Sequence, residues 1–263
     1  MADGFESEAT ISQCFPDMTA NDLVLDHDGQ SNSGKSGRSL RMRERVTRPD
    51  LSELERRTFL SAFDGRQLYH VPDSVPPMDG QKLFGEDASL VWDFGCGRGE
   101  RIVELAKQNP DKKYVGVDVH YASLLWGVRA AADAELGNVR FVRADGALLI
   151  SYVPTSSAEA AAVMFPAPLP QKNGTFKGMP TIQFALHIHR VLEAEGSPFV
   201  FASDSRPYFN YRMRQIGVLG RFTCDTSELT VGIDILDNPT RYQRVWERKG
   251  IPTSRAILRK HIA

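Results

Sequence analysis

The chain has 263 residues, of which 41% are hydrophobic and 25% are charged, and its formal net charge is -1. This composition is typical of a globular protein with one sizeable core, and no apolar run approaches the ~20 residues that a membrane-spanning helix needs. The net charge argues against wholesale attraction to nucleic acid. Three widely spaced cysteines without a CxxC pair argue against structural zinc and fit a reducing compartment. Without a signal-peptide pattern, the chain is expected to be cytoplasmic, as a monomer or homodimer.

The charges are distributed unevenly along the chain. Residues 1–34 contain seven acids and no Lys or Arg, whereas 35–57 contain eight basic residues against four acids. The stretch 241–260 has seven basic residues against one acid. Such stretches either offer a cationic face to an anionic partner or are solvated helix surfaces and a charged tail, and both interpretations stay open.

Composition and turn signals divide the chain into three regions. Residues 1–37 are rich in Ser, Gly and Asp and poor in aromatics, so this acidic and polar tail is expected to be disordered. Residues 38–88 are predicted to form a basic arm, a helix over LSELERRTFLSAF (51–63) and a proline-rich ordered loop. Residues 89–263 are predicted to form the main domain.

The main domain alternates short apolar runs with amphipathic stretches. The predicted strands are SLVWDF, KYVGVDV, VRFVRAD, AAAVMFP and PFVFASD, and the predicted helices among them are ERIVELAKQN, YASLLWGVRAAADAEL and TIQFALHIHRVLEAE. Strand–helix repetition at this interval implies right-handed crossovers, so the predicted fold class is α/β, with a doubly wound and mostly parallel sheet. A helix near 207–218 and the strands FTCDTSELTV and SRAILRK complete a seven-stranded, Rossmann-like sheet.

Residues suited to a nucleoside ligand follow three successive strands, at the edge where doubly wound sheets bind ligands. The turn after the first strand contains three glycines, which let the backbone approach a ligand closely. An acid ends each of the three strands. These glycines and acids are Gly95, Gly97, Gly99, Asp93, Asp118 and Asp145.

Each acid suits one part of S-adenosylmethionine, which is therefore the predicted cofactor. Asp93 can orient the cationic amino-acid moiety through the loop, and Asp118 can accept from both ribose hydroxyls. Asp145 can accept from the exocyclic amine of adenine. The neighbouring residues that complete the predicted donor site are Cys96, Val119, Gly146 and Phe165.

A nicotinamide dinucleotide is the main alternative ligand for a glycine-rich turn. Its G-x-G-x-x-G fingerprint needs a small residue at the sixth position, which is Glu100 when counted from Gly95. An acid just before the glycines would also lie unfavourably close to a pyrophosphate. These departures favour the methyl donor, and a glycine turn without any ligand is the third alternative.

The run VWDFGCGRGERIVELAKQNPDKKYVGVDV, continuing through NVRFVRADGALLI, resembles the bacterial tRNA (guanine-N7-)-methyltransferases. In that family a glycine loop, a helix ending in Asn-Pro and a G-[VI]-[DE]-[VI] strand recur in this order. HRVLEAEGSPFVFASD and NPTRY are similar to the family's R-V-L-x-x-G-G-x-[LF]-x-x-A-T-D and T-[KR]-[YF]-E segments. The resemblance covers residues 38–260 and implies a class I methyltransferase that uses S-adenosylmethionine.

The chain departs from the family in the stretch that implies its substrate. The family's F-P-D-P-W-P-K-K corresponds here to FPAPLPQKNGTFKG, so that Ala167 stands where the family has Asp, and Leu169 where it has Trp. Gln243 stands where the family has Glu. The resemblance implies that those two acids hold the base edge of guanine. The predicted acceptor-pocket residues are Pro166, Ala167, Pro168, Leu169, Asp204, Tyr208, Thr240, Tyr242 and Gln243.

Three functions stay open at the level of sequence. The preferred interpretation is a divergent enzyme that keeps the donor site and N-methylates a small nitrogen heterocycle, because Ala167 cannot accept a hydrogen bond and Gln243 accepts without charge. The second is a tRNA (guanine-N7-)-methyltransferase that binds tRNA through basic residues in 38–57 and 241–260. The third is a non-catalytic partner or RNA-binding subunit that retains the donor fold.

Overall fold

The structure is a computed structural model that describes residues 9–10, 59–60, 77–225 and 240–262. Its strands are β1 (Ala9–Thr10), β2 (Phe59–Leu60), β3 (Leu90–Phe94), β4 (Lys113–Asp118), β5 (Val139–Arg143), β6 (Ala158–Met164), β7 (Leu169–Pro170), β8 (Phe176–Lys177), β9 (Pro198–Ser203), β10 (Phe222–Asp225) and β11 (Ser254–Lys260). Its helices are α1 (Gly80–Phe84), α2 (Glu100–Gln108), α3 (Tyr121–Asp133), α4 (Gly146–Leu149), α5 (Ile182–Val191), α6 (Arg206–Gly217) and α7 (Arg241–Arg248).

Nine of these strands form one sheet in the order β1-β10-β11-β9-β6-β3-β4-β5-β2. The neighbours from β9 to β2 pair in parallel, whereas β11 is antiparallel to both β9 and β10. The chain passes from β3 through β4 to β5 and then crosses back to β6, on the other side of β3. This reversal creates a switch point between β3 and β6, and ligands of such sheets bind at the carboxyl ends of the strands there.

The core lies on both faces of the sheet, because alternate side chains of each strand point to opposite faces. All five residues of β3 are buried. Trp92 and Phe94 pack on one face with the ring of Phe184 from α5, whereas Val91 packs on the other face with Tyr114 and Phe141. This double coverage confirms the predicted α/β class with its mostly parallel central sheet.

The structure differs from the sequence predictions at two places before the main domain. The helix predicted over 51–63 is wrong at Phe59–Leu60, which pairs in parallel with β5 and extends the sheet edge. Ala9–Thr10, within the tail expected to be disordered, pairs antiparallel with β10. Two adjacent apolar residues such as Phe59–Leu60 can adopt either a strand or a helix. Pairing with an available sheet edge then favours the strand. The remainder of the tail, the basic arm and the predicted helix lies outside the described residues.

Two further elements have bounds that the sequence did not indicate. The loop predicted over 70–88 contains the short helix α1, which Asp79 caps by accepting from the backbone N–H of Lys82 at 2.8 Å. The strand predicted over FTCDTSELTV corresponds to β10 as far as Asp225, and its remaining residues lie outside the described part. Within the described residues, every helix is too short or too polar to cross a bilayer.

Candidate active site

The turn between β3 and α2 is held by backbone hydrogen bonds and open on its outer side. Gly95, Gly97 and Gly99 have φ values of 81°, 59° and 71°, which side chains with a Cβ rarely adopt. The backbone N–H groups of Gly95 and Cys96 donate to the carbonyl of Val117 at 2.7 and 3.0 Å. A Cβ built on Gly95 or Gly97 would meet no atom within 4 Å. The turn therefore forms a backbone cradle with open space above it.

The inner side of the same turn is packed closely against one aromatic ring. A Cβ built on Gly99 would lie 2.5 Å from the Phe141 ring, and one on Gly127 of α3 would lie at the same distance from it. Gly116 in β4 leaves room for that ring and for the thiol of Cys96. Gly116 and Gly127 were missed by the sequence analysis, although a glycine inside a strand or helix often indicates such a close approach.

Asp118 joins the glycine turn to the end of β4. One of its carboxylate oxygens, Oδ2, accepts from the backbone N–H of Gly97 at 2.9 Å. The other, Oδ1, accepts from the backbone N–H of His120 at 2.8 Å. A carboxylate can accept about four hydrogen bonds, so Asp118 is held in place and can still accept from the two hydroxyls of a ribose.

Two further residues of the predicted donor site lie at the ends of β4 and β5, beside Asp118. Val119 follows Asp118 directly, and 52% of its surface is exposed, which leaves an apolar face for a ring to cover. Asp145 caps α4, because its Oδ1 accepts from the backbone N–H of Ala147 at 2.8 Å. The remaining oxygen of Asp145 could accept from an adenine amine.

Asp93 lies beneath the glycine turn and is 3% exposed. Its Oδ2 pairs with Arg101 of α2 at 3.0 Å, whereas its Oδ1 has no hydrogen-bond partner among the described residues. Burial raises the pKa of Asp93 above its ordinary value, and the charge of Arg101 counteracts part of this shift. Asp93 is therefore not an exposed acceptor, and its predicted action on a ligand through the turn above it stays a prediction.

Cys96 packs within the turn, against Gly116, and does not provide a nucleophile. Burial, together with the charges of Asp93 and Asp118, raises the pKa of its thiol well above its ordinary value of 9.0. The thiol therefore stays protonated at neutral pH, and a protonated thiol is a weak nucleophile.

The chain leaves β6 in a strained conformation and then forms a hairpin. Phe165 has a φ of 54°, which a bulky residue adopts only where the surrounding structure enforces it, and its N–H donates to the Ala202 carbonyl at 2.8 Å. Strands β7 and β8 pair Leu169 with Lys177 and Pro170 with Phe176. We call residues 167–179 the acceptor hairpin.

The acceptor hairpin exposes two of the predicted acceptor residues. Ala167 is exposed, as is Leu169 with 50% of its surface, and Pro166 and Pro168 are partly buried. Met179, at the end of the hairpin, packs against Gly146 of the predicted donor site. A Cβ built on Gly146 would lie 3.4 Å from the side chain of Met179 and 3.0 Å from Phe94.

Tyr208 lies under the hairpin and not in an open wall, which corrects its predicted place. Its side chain is fully buried, its ring packs 5.3 Å from that of Phe176, and its hydroxyl donates to the carbonyl of Met179. The sequence pointed to an exposed position because Tyr208 follows the strand end closely, but the hairpin covers it.

The other acceptor candidates lie at the same edge of the sheet or begin α7. Asp204 directly follows β9 and is partly exposed. Thr240 caps α7 by accepting from the backbone N–H of Gln243 at 3.0 Å. Helix α7 precedes β11, whose first residue pairs with Ser203 at the carboxyl end of β9. The side chain of Tyr242 lies outside the described part.

The match to known proteins agrees with this geometry. Residues 87–256 match a family model described as "Putative methyltransferase". A "tRNA (guanine-N(7)-)-methyltransferase" of Rubrobacter xylanophilus is 32% identical over 209 residues, which cover 79% of this chain and 92% of that protein. The chain belongs to the tRNA (guanine-N7-)-methyltransferase family.

Two further similarities differ in how much of the other protein they cover. A tRNA (guanine-N(7)-)-methyltransferase of Thermotoga maritima is 30% identical over 192 residues, which cover 72% of this chain and 60% of that relative. A solved structure described as "Structure of an Antibiotic Related Methyltransferase" has 17% identity and a TM-score of 0.47, with 69% of this chain and 92% of that chain covered.

Membership of this family makes the protein a methyltransferase that depends on S-adenosylmethionine, as the sequence predicted. The residues at the edge of the sheet fit that cofactor. The open cradle suits its amino-acid end, Asp118 its ribose, and Val119 with Asp145 its adenine. The nicotinamide alternative finds no support in the family, and neither does a glycine turn without a ligand.

Proposed function

We propose that this methyltransferase transfers a methyl group from S-adenosylmethionine to N7 of a guanine in tRNA. The observation that carries the proposal is the contact between the acceptor hairpin and the predicted donor residues at the carboxyl edge of the sheet. Met179 of the acceptor hairpin lies against Gly146, beside the Asp145 that would hold the adenine. An acceptor base on the hairpin would therefore lie next to the donor. The tRNA relatives support this acceptor over the small heterocycle that the sequence analysis preferred.

The proposed reaction requires mainly that N7 of the base is aligned with the methyl group and the sulfur. Bound S-adenosylmethionine would supply a methyl group on a cationic sulfonium. Attack by the N7 lone pair forms the N–C bond and breaks the C–S bond, so that the positive charge moves to the base and a neutral thioether leaves. Because N7 carries no proton, the chain needs no general base, and its residues act by positioning the two reactants and excluding water.

Exposed basic residues lie in the acceptor hairpin, at the start of α6 and on or just after α7, and a polyanionic substrate would need such cations. We call them the basic rim: Lys172, Lys177, Arg206, Arg244, Arg248 and Lys249. The acceptor hairpin contains no acid, and neither does α6. Cations placed in this way would neutralise phosphates on both sides of a base that enters the site. The basic residues of 38–57, which we also expect to bind tRNA, lie outside the described residues.

A small nitrogen heterocycle stays a second candidate because of two observations on the hairpin. Ala167 offers no side-chain acceptor to the N1–H and amine of guanine, and the exposed Leu169 gives an apolar surface on which any flat ring could stack. If tRNA is the substrate, discrimination for guanine must then come from other groups, and we expect weaker base selectivity than an anionic acceptor would give.

Methyl transfer to defined acceptors tests the proposal. The purified full-length protein is incubated with labelled S-adenosylmethionine and either unmodified tRNA transcripts or a panel of small nitrogen heterocycles. We expect label in tRNA, and we expect chain cleavage specific for N7-methylguanosine to locate it at one guanine. Label in a heterocycle with none in tRNA would overturn the proposal in favour of the second candidate.

A variant of the donor site controls for contaminating activity. Asp118→Ala removes both carboxylate oxygens that hold the turn and His120, and it should abolish binding of S-adenosylhomocysteine in calorimetry together with transfer. Ala167→Asp should leave that binding nearly unchanged. Equal effects of both substitutions would contradict the division of the edge into a donor side and an acceptor side.

A further inference from the structure

A buried arginine of α6 holds the acceptor hairpin from below. Nη2 of Arg212 donates to the carbonyl of Phe176 at 2.7 Å and to the carbonyl of Gly178 at 2.8 Å. Nη1 of the same guanidinium donates to Oε1 of Gln215 at 2.7 Å. Because both carbonyls belong to the returning half of the hairpin, one side chain fixes the backbone that leads from β8 to Met179.

The environment of Arg212 is unusual for a charged side chain. Only 3% of its surface is exposed, and no carboxylate pairs with it in the part of the chain that the structure describes. Its polar partners are neutral, and its charge lies over the rings of Tyr208 and Tyr211 at 5.3 and 5.2 Å. Burial of an arginine without an acid is costly, so a purely stabilising role would be served better by an apolar residue.

Two tyrosines complete the attachment. The ring of Phe176 in β8 lies 5.3 Å from Tyr208 and 5.4 Å from Tyr211. The Tyr208 hydroxyl donates to the carbonyl of Met179, whose side chain contacts the donor side at Gly146. Arg212, Tyr208 and Tyr211 thus connect α6 to strand β8 of the hairpin and to Met179, which packs against Gly146 of the predicted donor site. We call these three residues the hairpin clamp.

We propose that Arg212 is a positioning residue for methyl transfer, which fixes the acceptor hairpin at the height and angle that bring the acceptor base in line with the methyl group. The proposal rests on the proposed function, because it takes the hairpin as the acceptor surface. Arg212 touches neither the donor nor the acceptor, and it acts through the carbonyls of Phe176 and Gly178. Loosening the clamp therefore impairs use of the acceptor and leaves the donor site intact.

Two variants of the clamp test this in the full-length enzyme. Arg212→Lys keeps the charge but cannot donate to both carbonyls from one planar group, and we expect kcat/KM for tRNA to fall by about tenfold or more. Tyr208→Phe removes a single hydroxyl without changing the ring, and we expect a fall of about fivefold. In both variants the Kd for S-adenosylhomocysteine stays within about twofold of the wild type, since a change of twofold is well under 1 kcal/mol.

A local measurement distinguishes positioning from general stability. Hydrogen exchange of the hairpin amides, including that of Gln171, which donates to Thr175 at 2.8 Å, should accelerate in both clamp variants. Ile216→Val serves as the matched control, because Ile216 is buried in the core on the same helix and its side chain has no polar group with which to hold the hairpin backbone. It should lower Tm and leave hairpin exchange and kcat/KM unchanged at a temperature where the enzyme is folded.

The possible outcomes separate this proposal from the proposed function. Wild-type enzyme that does not methylate tRNA contradicts the proposed function, and the clamp is then tested against whichever acceptor the heterocycle panel gives. Active wild-type enzyme with clamp variants of unchanged kcat/KM overturns the clamp. Clamp variants that lose donor affinity in parallel with kcat/KM also overturn it, because Arg212 would then be a structural residue only.

Discussion

At the scale of single residues, a buried ion pair lies beneath the glycine turn of the predicted donor site. Asp93 and Arg101 are 3% and 4% exposed and lie 3.0 Å apart. Burial raises the pKa of this carboxyl, and the guanidinium beside it counteracts part of the rise. We therefore expect Arg101 to set the protonation state of the group beneath the glycine turn.

Replacement of Arg101 by methionine should make stability and donor binding depend more strongly on pH. Removal of one partner of a buried pair costs about 3–5 kcal/mol at neutral pH. Without the cation, the pKa of Asp93 rises further above its ordinary value of 3.8, because burial then acts unopposed. The folded variant binds that proton more tightly than the unfolded chain does, so its unfolding free energy falls as pH rises from about 4 through the raised pKa.

Urea denaturation at a series of pH values measures this effect. The difference in unfolding free energy between wild type and Arg101→Met should widen with rising pH. The affinity of the variant for S-adenosylhomocysteine should fall over the same pH range. The double variant Asp93→Asn with Arg101→Met removes the titrating group, so its difference from wild type should no longer widen. A gap in unfolding free energy that stays constant with pH would show that Arg101 acts by packing alone.

At the scale of elements, the donor turn is positioned by close packing between α3 and the sheet. The ring of Phe141 in β5 fills the space that Gly99 and Gly127 leave open. A Cβ on Gly127 would also lie 2.9 Å from the backbone carbonyl of Arg98, within the turn itself. Since backbone atoms cannot move aside as a flexible side chain can, α3 and the turn must shift together.

Gly127→Ala should therefore weaken donor binding, although alanine is the better helix former. We expect a loss of stability of about 1–3 kcal/mol from overpacking and a fall in S-adenosylhomocysteine affinity of about tenfold or more. Gly137→Ala is the matched control, because a Cβ there meets nothing within 4 Å, and it should be neutral or slightly stabilising. Thermal denaturation and calorimetry measure both quantities. Unchanged donor affinity in Gly127→Ala would contradict the coupling of α3 to the turn.

The elements differ in how far the sequence could predict them. Strands β3 to β6 and β9 were predictable because each is a short apolar run between turn signals, and their order along the chain brings the strand-end acids together. The pairing of Leu169 with Lys177 was not predictable, because it depends on contacts with α6 that are distant in sequence. The same applies to Phe59–Leu60, whose apolar spacing suits a helix and whose conformation follows from the free edge of β5.

The candidate site shows the same limit. Glycines and acids at strand ends are visible in sequence, because position along the chain places them at the ligand edge. Arg101 and Arg212 lie within amphipathic helices, where an arginine is normally assigned to the solvent face, so nothing local distinguishes a buried one. Tyr208 was misplaced for a related reason: the hairpin that covers it was not foreseen.

At the scale of the whole molecule, the two edges of the sheet differ in how their basic residues are placed. The basic rim lies in the acceptor hairpin, at the start of α6 and on or just after α7. The loops and helix ends at the opposite edge contain both signs of charge, namely Glu86, Asp87, Asp111, Asp133, Glu135, Glu193 and Glu195 together with Lys82, Lys107, Lys112 and Lys113. Because the acceptor hairpin and α6 contain basic residues and no acid, they would attract a polyanion more strongly than the mixed charges of the opposite edge.

The salt dependence of tRNA binding tests this orientation. The triple variant Lys172→Gln, Lys177→Gln and Arg206→Gln should weaken tRNA binding, and the slope of log Kd against log salt should fall by about one for each phosphate that the variant no longer neutralises. The control double variant, Lys82→Gln with Lys107→Gln, changes exposed lysines of α1 and α2 near the opposite edge and should leave the slope unchanged. S-adenosylhomocysteine affinity should be the same in all three proteins, since none of these residues contacts the glycine turn. The two variants are compared by the change in slope per positive charge removed. An equal change per charge in both would mean that tRNA binds without a preferred face. The basic rim would then have no role in presenting guanine to the hairpin.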